Sequence, residues 1–307
     1  MRHRMRTAIQ YEFGGPRVLR VVEAERPSPG PGEVLVRVHA ASVNFGETKV
    51  RSGLAQAGQP PFTLGSDLSG VVAGTGPGVT GFAPGDAVYG VYFIGTYAEY
   101  VAVPAAALAP GPAGLGHVEA AALPVAALTA LRAVEQASLG AGDRILIHAA
   151  AGGVGHFAVQ LAKLRGAYVL GTARAVKHDF LRSLGVDEPI DYTAVDFTEA
   201  ARNVDVVLDL VGGAYGKRSL AALRPGGLLL GATLDPGVTE REAVELGRRY
   251  AWVSLRPTGE ELRRITGLVE EGALRPHVER TFPLEQLVAA HEFADTGQIT
   301  GKVVVVV

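Results

Sequence analysis

Residues Arg144 to Arg174 read RILIHAAAGGVGHFAVQLAKLRGAYVLGTAR, and this stretch decides the fold. Ile145, Leu146 and Ile147 form a short apolar run that breaks at a glycine-rich turn, Ala150-Ala151-Gly152-Gly153-Val154-Gly155. An alanine- and leucine-rich stretch follows, with Val154, Ala158, Leu161 and Ala162 recurring on one helical face. A second apolar run, Tyr168 to Thr172, closes a β-α-β unit of about 30 residues, the size of a mononucleotide-binding half.

The turn matches the dinucleotide fingerprint with Ala150 in place of its first glycine. Gly152 lets the backbone approach a pyrophosphate, and Gly155 lets the helix pack closely on the strand. With Ala151, Gly153 and Val154 they form the group expected to face the phosphates, where unpaired N–H groups and the helix dipole favour an anion. Glycines also mark ordinary tight turns, so the weight lies in the order strand, turn, helix, strand. An NAD-binding unit usually carries an acid about 20 residues past the glycines, accepting from the ribose 2′-OH. Here Thr172-Ala173-Arg174-Ala175-Val176-Lys177 contains none. A carboxylate would repel a 2′-phosphate, whereas a guanidinium grips one through two hydrogen bonds. The expected cofactor is therefore NADPH, with Thr172, Arg174 and Lys177 among the residues that hold it. The alternative is that both cations are solvated charges opening a helix.

At 307 residues the chain suits two domains. A formal net charge of −2 gives no sign of nucleic acid. The absence of cysteine removes disulfides, thiolate metal sites and cysteine nucleophiles together. The start, Met1-Arg2-His3-Arg4-Met5-Arg6, is basic without a following apolar run, so no signal peptide is expected. The longest apolar run, Val303 to Val307, is far too short to span a membrane. The expectation is a soluble, cytoplasmic protein.

Residues 7 to 110 differ from the centre. Short β-like runs, Val34 to His39, Gly70 to Ala73, Asp86 to Tyr89 and Tyr97 to Val103, alternate with Gly/Pro turns and indicate an antiparallel barrel or sandwich. Helical patterning begins near His117 and runs to Ala133 with a break at Pro124. Val204 to Asp209 reads as a strand, Leu220 to Leu223 as a short helix and Leu228 to Gly231 as a further strand; the alternation implies a parallel, doubly wound sheet. After a charged helix at Gly259 to Glu271, Pro276 to Phe282 and Val303 to Val307 return to β character and are expected to rejoin the first domain. The expected division is 1–121 with 262–307 for the β-rich domain and 122–261 for the α/β domain. Gly231 and Ala232, at a strand C-terminus, are expected beside the reactive end of the cofactor.

The chain resembles the medium-chain dehydrogenase/reductase superfamily, in its zinc-free quinone oxidoreductase branch. The resemblance rests on an ordered set of landmarks. They include Glu12-Phe13-Gly14-Gly15-Pro16, Pro31-Gly32-Glu33-Val34-Leu35-Val36, Ala41-Ser42-Val43-Asn44 and Leu64-Gly65-Ser66-Asp67-Leu68-Ser69-Gly70. Gly95-Thr96-Tyr97-Ala98-Glu99-Tyr100, Leu128-Thr129-Ala130-Leu131, the turn at Ala149 to Gly155, and Gly301-Lys302-Val303-Val304 continue it. The resemblance implies a GroES-like β-barrel catalytic domain and a Rossmann cofactor domain, with the active site in the cleft between them. It also implies NADPH-dependent reduction of quinones or conjugated enones, and a homodimer. Zinc-containing relatives carry a cysteine near Ser42–Asn44 and a histidine near Ser66; neither stands here, and the histidines are scattered singly. A catalytic zinc needs three converging ligands, so no metal is expected.

Without a metal to polarise an alkoxide, hydride addition to an electron-poor conjugated acceptor is the easier reaction. Asn44 is the first polar candidate, because the resemblance places it on the turn facing the cofactor. Tyr92 and Tyr97 flank a glycine-containing loop and are candidate proton donors, against a packing role for each. Asp67 is expected to fix its own turn and Lys302 to belong to the returning strand. By resemblance, Thr129 opens the long helix near the nicotinamide and Tyr192 stacks at the 2′-phosphate end; Leu255 is a weaker member of the cofactor set. Two other readings stay open: an enoyl- or polyketide-type thioester reductase, and a non-enzymatic NADPH-binding sensor.

Overall fold

The computed structural model describes residues 4–55 and 58–307, so part of the basic start read above, residues 1–3, lies outside the described residues. The chain divides into two compact units, the residues up to Leu128 with Arg256–Val307, and Thr129–Leu255. Composition placed the changes at 121/122 and 261/262.

Along the first unit, β1 (Arg4–Gln10) pairs antiparallel with β2 (Leu19–Glu25). The long β3 (Glu33–Val43) runs into a short helix, α1 (Phe45–Arg51), and β4 (Phe62–Thr63) adds to the free side of β1. β5 (Asp67–Thr75), β6 (Ala87–Val91), β7 (Tyr100–Pro104) and β8 (Leu108–Pro110) follow, with α2 (His117–Ala121) and α3 (Pro124–Ala137) after them. Val34, Val36, Val38, Leu68, Val72, Val88 and Val101 alternate inward from these strands into one apolar cluster. Full burial of each such side chain contributes about 1.5–3 kcal/mol.

The second unit is a six-stranded, wholly parallel sheet. β9 (Arg144–Ile147) leads through the glycine-rich turn into α4 (Gly155–Leu164) and back to β10 (Tyr168–Ala173). Then come α5 (His178–Ser183), β11 (Glu188–Asp191), α6 (Phe197–Ala200), β12 (Val204–Asp209), α7 (Ala214–Ala222), β13 (Leu223–Gly231), α8 (Glu240–Glu245) and β14 (Arg249–Trp252). The sequence underestimated α7, which begins at Ala214 and ends before Leu223, where β13 starts. Gly216, Lys217 and Arg218 interrupt its apolar pattern, and tertiary packing of Tyr215, Leu220 and Ala222 carries the helix. The strand order is β11-β10-β9-β12-β13-β14, so the direction of winding reverses between β9 and β12. This is a doubly wound Rossmann sheet, with its ligand crevice expected outside the carboxyl ends of the strands at that reversal.

The chain returns to the first unit through α9 (Gly259–Glu270), β15 (Val278–Pro283), α10 (Leu287–Asp295) and β16 (Lys302–Val306). β16 lies inside the larger GroES-like sheet, between β15 and β3, and not at an edge. Both its faces are covered, Val303 and Val305 packing with Leu287 and Ala290 of α10 and Val304 with Ala121 of α2 and Ala122, which explains a run that reads as a continuous apolar strand. No helix among the described residues is long and apolar enough to cross a membrane.

Candidate cofactor and active site

The glycine-rich turn owes its shape to Ala149, which holds a left-handed φ of +49°. That conformation costs a residue with a Cβ about 1–2 kcal/mol. Three bonds hold the turn: Ala149 N–H donates to Thr172 Oγ1 (3.2 Å), Ala150 N–H to Thr172 O (3.0 Å), and Gly152 N–H to Ala149 O (2.9 Å). With Ala149 making the left-handed step, Ala150 needs no glycine freedom, and it sits wholly buried. Gly155 does need to be glycine: a Cβ there would stand 2.3 Å from Ala149 O and 2.7 Å from Ala150 Cα. The close approach of α4 to the end of β9 therefore depends on it.

Helix α4 begins without a side-chain cap, its N-cap being Val154. Asp196, Thr239 and Thr258 cap α6, α8 and α9 with side-chain oxygens, while α2, α5, α7 and α10 begin, like α4, without one. No side chain caps the N-terminus of α4, although the His156 N–H donates to Gly152 O (3.0 Å); around it Gly152, Gly153 and Val154 are half-exposed and Ala151 is buried. That is the arrangement an anion at a helix N-terminus requires, and the residues fit a dinucleotide pyrophosphate.

The other candidates of this unit, Thr129 apart, lie at or just beyond the carboxyl ends of the strands. Arg174 is exposed just beyond β10, and Lys177 closes a single turn whose N–H donates to Arg174 O (2.9 Å). Tyr192, 39% exposed, follows β11, whose Asp191 pairs with Ala173 of β10. Gly231 ends β13, and Ala232 N–H donates to Asp209 O (3.0 Å) at the end of β12. Leu255 is half-buried two residues past Val253, whose N–H donates to Gly231 O. Thr129 is half-buried within α3 rather than at its start. Thr172 has a different place from the expected one: it is 1% exposed and its hydroxyl serves the turn.

The first unit holds a buried polar cluster around Asn44, which precedes α1. Lys302 Nζ donates to Asn44 Oδ1 (2.5 Å), and Asn44 Nδ2 donates to Asp67 Oδ2 (2.9 Å) and Glu47 Oε1 (3.1 Å). The ammonium settles the orientation of the amide, because Oδ1 alone can face it. Both amide hydrogens are consumed, so Asn44 has only acceptor capacity left on Oδ1. Asp67 is wholly buried and also accepts from Val125 N–H (2.7 Å) and Ser42 Oγ, with Lys302 Nζ at 3.4 Å. Asp67 therefore opens β5 and binds distant segments instead of fixing its own turn. Burial raises the Glu47 carboxyl above its usual range; hydrogen bonds from Tyr97 and Asn44 oppose this, and the Asp67 charge reinforces it.

Tyr97 is wholly buried, and its hydroxyl donates to Glu47 Oε2. Burial, then the Glu47 charge, pushes the phenol well above its ordinary value, so its place is support for the cluster and not an exposed acid. Tyr92 is half-buried, and its N–H donates to Ser66 O (2.8 Å), beside Asp67. Sequence reading passed over Lys302, Asp67 and Glu47 as a set. The available signal was Lys302 itself, a lone cation opening a wholly apolar strand, since buried lysines need a partner. Among the described residues no group of three or more His, Cys, Asp or Glu side chains could hold a metal, and the side chains present do not fit a zinc site.

Two families match, the alcohol dehydrogenase GroES-like domain over residues 30–113 and zinc-binding dehydrogenase over residues 184–305. A 2-haloacrylate reductase of Burkholderia sp is 34% identical, covering 97% of both chains. The solved quinone oxidoreductase of Coxiella burnetii is 37% identical with a TM-score of 0.94, covering 99% of this chain and 100% of the other. The Escherichia coli quinone oxidoreductase complexed with NADPH is 29% identical with a TM-score of 0.93, over 98% and 100%. The chain also matches a spectinabilin polyketide synthase system protein of Streptomyces orinoci at 38% identity, over 89% of its own length, but spans only 13% of that protein.

Proposed function

The chain belongs to the medium-chain dehydrogenase/reductase superfamily, in its quinone oxidoreductase branch, and from that premise we propose that it is an NADPH-dependent reductase of quinones or conjugated enones. One observation carries the reading: an uncapped helix start behind a glycine-rich turn, with Arg174 and no acid at the end of the next strand. NADPH, when bound, supplies the hydride. The turn from Ala151 to Gly155 receives the pyrophosphate on those backbone N–H groups not spent inside the turn, as the Gly152 N–H is on Ala149 O. Arg174 and Lys177 pair with the 2′-phosphate while Tyr192 covers it, and Thr129, Gly231, Ala232 and Leu255 belong to the nicotinamide end. Asn44 presents Oδ1 as an acceptor that orients a donor group, with Glu47, Asp67, Tyr97 and Lys302 holding it. Tyr92 is the phenol left to deliver a proton to the reduced acceptor.

Absorbance at the NADPH band tests this, with ortho- and para-quinones and α,β-unsaturated aldehydes and ketones as acceptors and NADH in parallel. The expected result is turnover with NADPH strongly preferred. Arg174→Ala should raise KM for NADPH by about tenfold, the loss of one charge-assisted pair, and leave KM for NADH unchanged. Equal use of both nucleotides by the unaltered protein would sink the Arg174 assignment. The similarity to a segment of a polyketide synthase protein favours, as a second reading, a thioester-bound enoyl substrate. Turnover with enoyl thioesters in place of quinones and free enones would select it.

A further inference from the structure

The hydrogen positions around His148 can be derived in full. Ser219 Oγ donates to Tyr215 O (2.7 Å), which leaves that oxygen only as an acceptor for His148 Nε2 (3.0 Å). His148 Nε2 therefore carries the ring proton, and Nδ1 is an acceptor facing Thr172 Oγ1 at 3.3 Å. The Thr172 hydroxyl donates to Nδ1, and its lone pairs turn to the Ala149 N–H. His148 and Ser219 are wholly buried and Thr172 nearly so, which removes water as a substitute partner. Burial also holds the imidazole neutral, down to about 3, as this set of donors and acceptors requires. The far end of the chain is α7, and the near end is the left-handed residue that shapes the phosphate-facing turn.

We propose that His148 and Thr172 are positioning residues for the cofactor: together they lock Ala149 in its left-handed conformation and so preform the pyrophosphate-binding turn before any nucleotide arrives. This rests on the NADPH reading above. Both side chains are buried, His148 wholly and Thr172 to 1% exposure. Their effect passes through one backbone N–H, so a residue that adopts the left-handed conformation without help makes them dispensable. Glycine at position 149 is such a residue.

The test is a fluorescence titration of NADPH and NADH into the unaltered protein and five variants, with a thermal melt of each. Thr172→Val keeps the shape and removes the hydroxyl; it should weaken nucleotide binding about tenfold. Thr172→Val combined with Ala149→Gly should return affinity to within about twofold, a non-additivity that a merely structural threonine would not show. Among substitutions of the histidine, His148→Asn keeps an acceptor near the Nδ1 position and should bind more tightly than His148→Gln, which keeps only the donor toward Ser219. Ala149→Gly alone should bind as the unaltered protein does. Unchanged affinity in Thr172→Val, or a double variant as weak as the single one, would overturn the proposal. If the unaltered protein binds neither nucleotide, the NADPH reading itself falls and this one with it.

Discussion

In the β-rich unit an ammonium and a carboxylate, Lys302 and Asp67, are taken almost wholly out of water around Asn44. The α/β unit shapes its turn with neutral groups only, the imidazole of His148 and the hydroxyls of Thr172 and Ser219. Desolvating an ion costs several kcal/mol, recovered only when every partner stands in place. A neutral hydrogen bond returns about 0.5–1.5 kcal/mol, and its loss is correspondingly graded. The charged cluster is therefore brittle and fixes one orientation of one amide. The neutral chain is tolerant and tunes a backbone conformation. The first arrangement suits a group that must keep its direction beside changing charge; the second suits a cradle whose shape is the requirement.

The contrast breaks most visibly at Lys302. Lys302→Met leaves Asp67 buried beside Glu47 without its cation, and stability should fall by about 3–5 kcal/mol. Urea unfolding measures this, and Lys302→Met with Asp67→Asn should recover part of the loss. In the other unit Gly155→Ala drives a Cβ into Ala149 O, which should cost about 1–3 kcal/mol of overpacking and abolish NADPH binding. A melt and a nucleotide titration on the same sample separate the two effects.

Two buried histidines, His148 in the α/β unit and His291 in the β-rich unit, are both pushed by burial down to about 3. The sign follows directly. Below the ordinary value of 6.5 the unfolded chain takes up protons that the folded one refuses. Stability is thus present above pH 6.5 and lost as the pH falls toward 3, each histidine steepening the decline by up to about 1.4 kcal/mol per pH unit. His291→Gln should remove one increment, read from unfolding free energies across that window. A slope equal to that of the unaltered protein would show that His291 titrates normally. The smallest effect is expected at Tyr97→Phe, which removes one donor from Glu47 and should cost about 1 kcal/mol. A much larger loss would mean that the hydroxyl does more than supply one donor to Glu47.

Much of the α/β unit is legible in the sequence. The run from Arg144 to Arg174 contains its own strand, turn and helix signals within a few residues of one another, and β9, α4 and β10 follow them closely. Helix α7 was less legible, because its polar positions hide a helix that exists by packing. The Asn44 cluster was the least legible: Asn44 itself was singled out, but nothing near it in sequence points to Lys302. Tyr97 was noticed for its hydroxyl, yet only burial shows that the hydroxyl faces Glu47.

By itself the sequence determined what acts over short range: the β-α-β unit, the alternation of strands with Gly/Pro turns, the absence of thiol chemistry, and a cationic residue where an acid usually stands. Periodicity and turn chemistry involve neighbouring residues, so they can be read from a string. Only the tertiary structure decided that buried Ser42, Glu47, Asp67, Tyr97 and Lys302 gather around a half-buried Asn44, and that Thr172 looks inward to Ala149. Hydrogen-bond direction and desolvation depend on which distant strands become neighbours, and in this chain β16 must return beside β3 before Lys302 can meet Asn44.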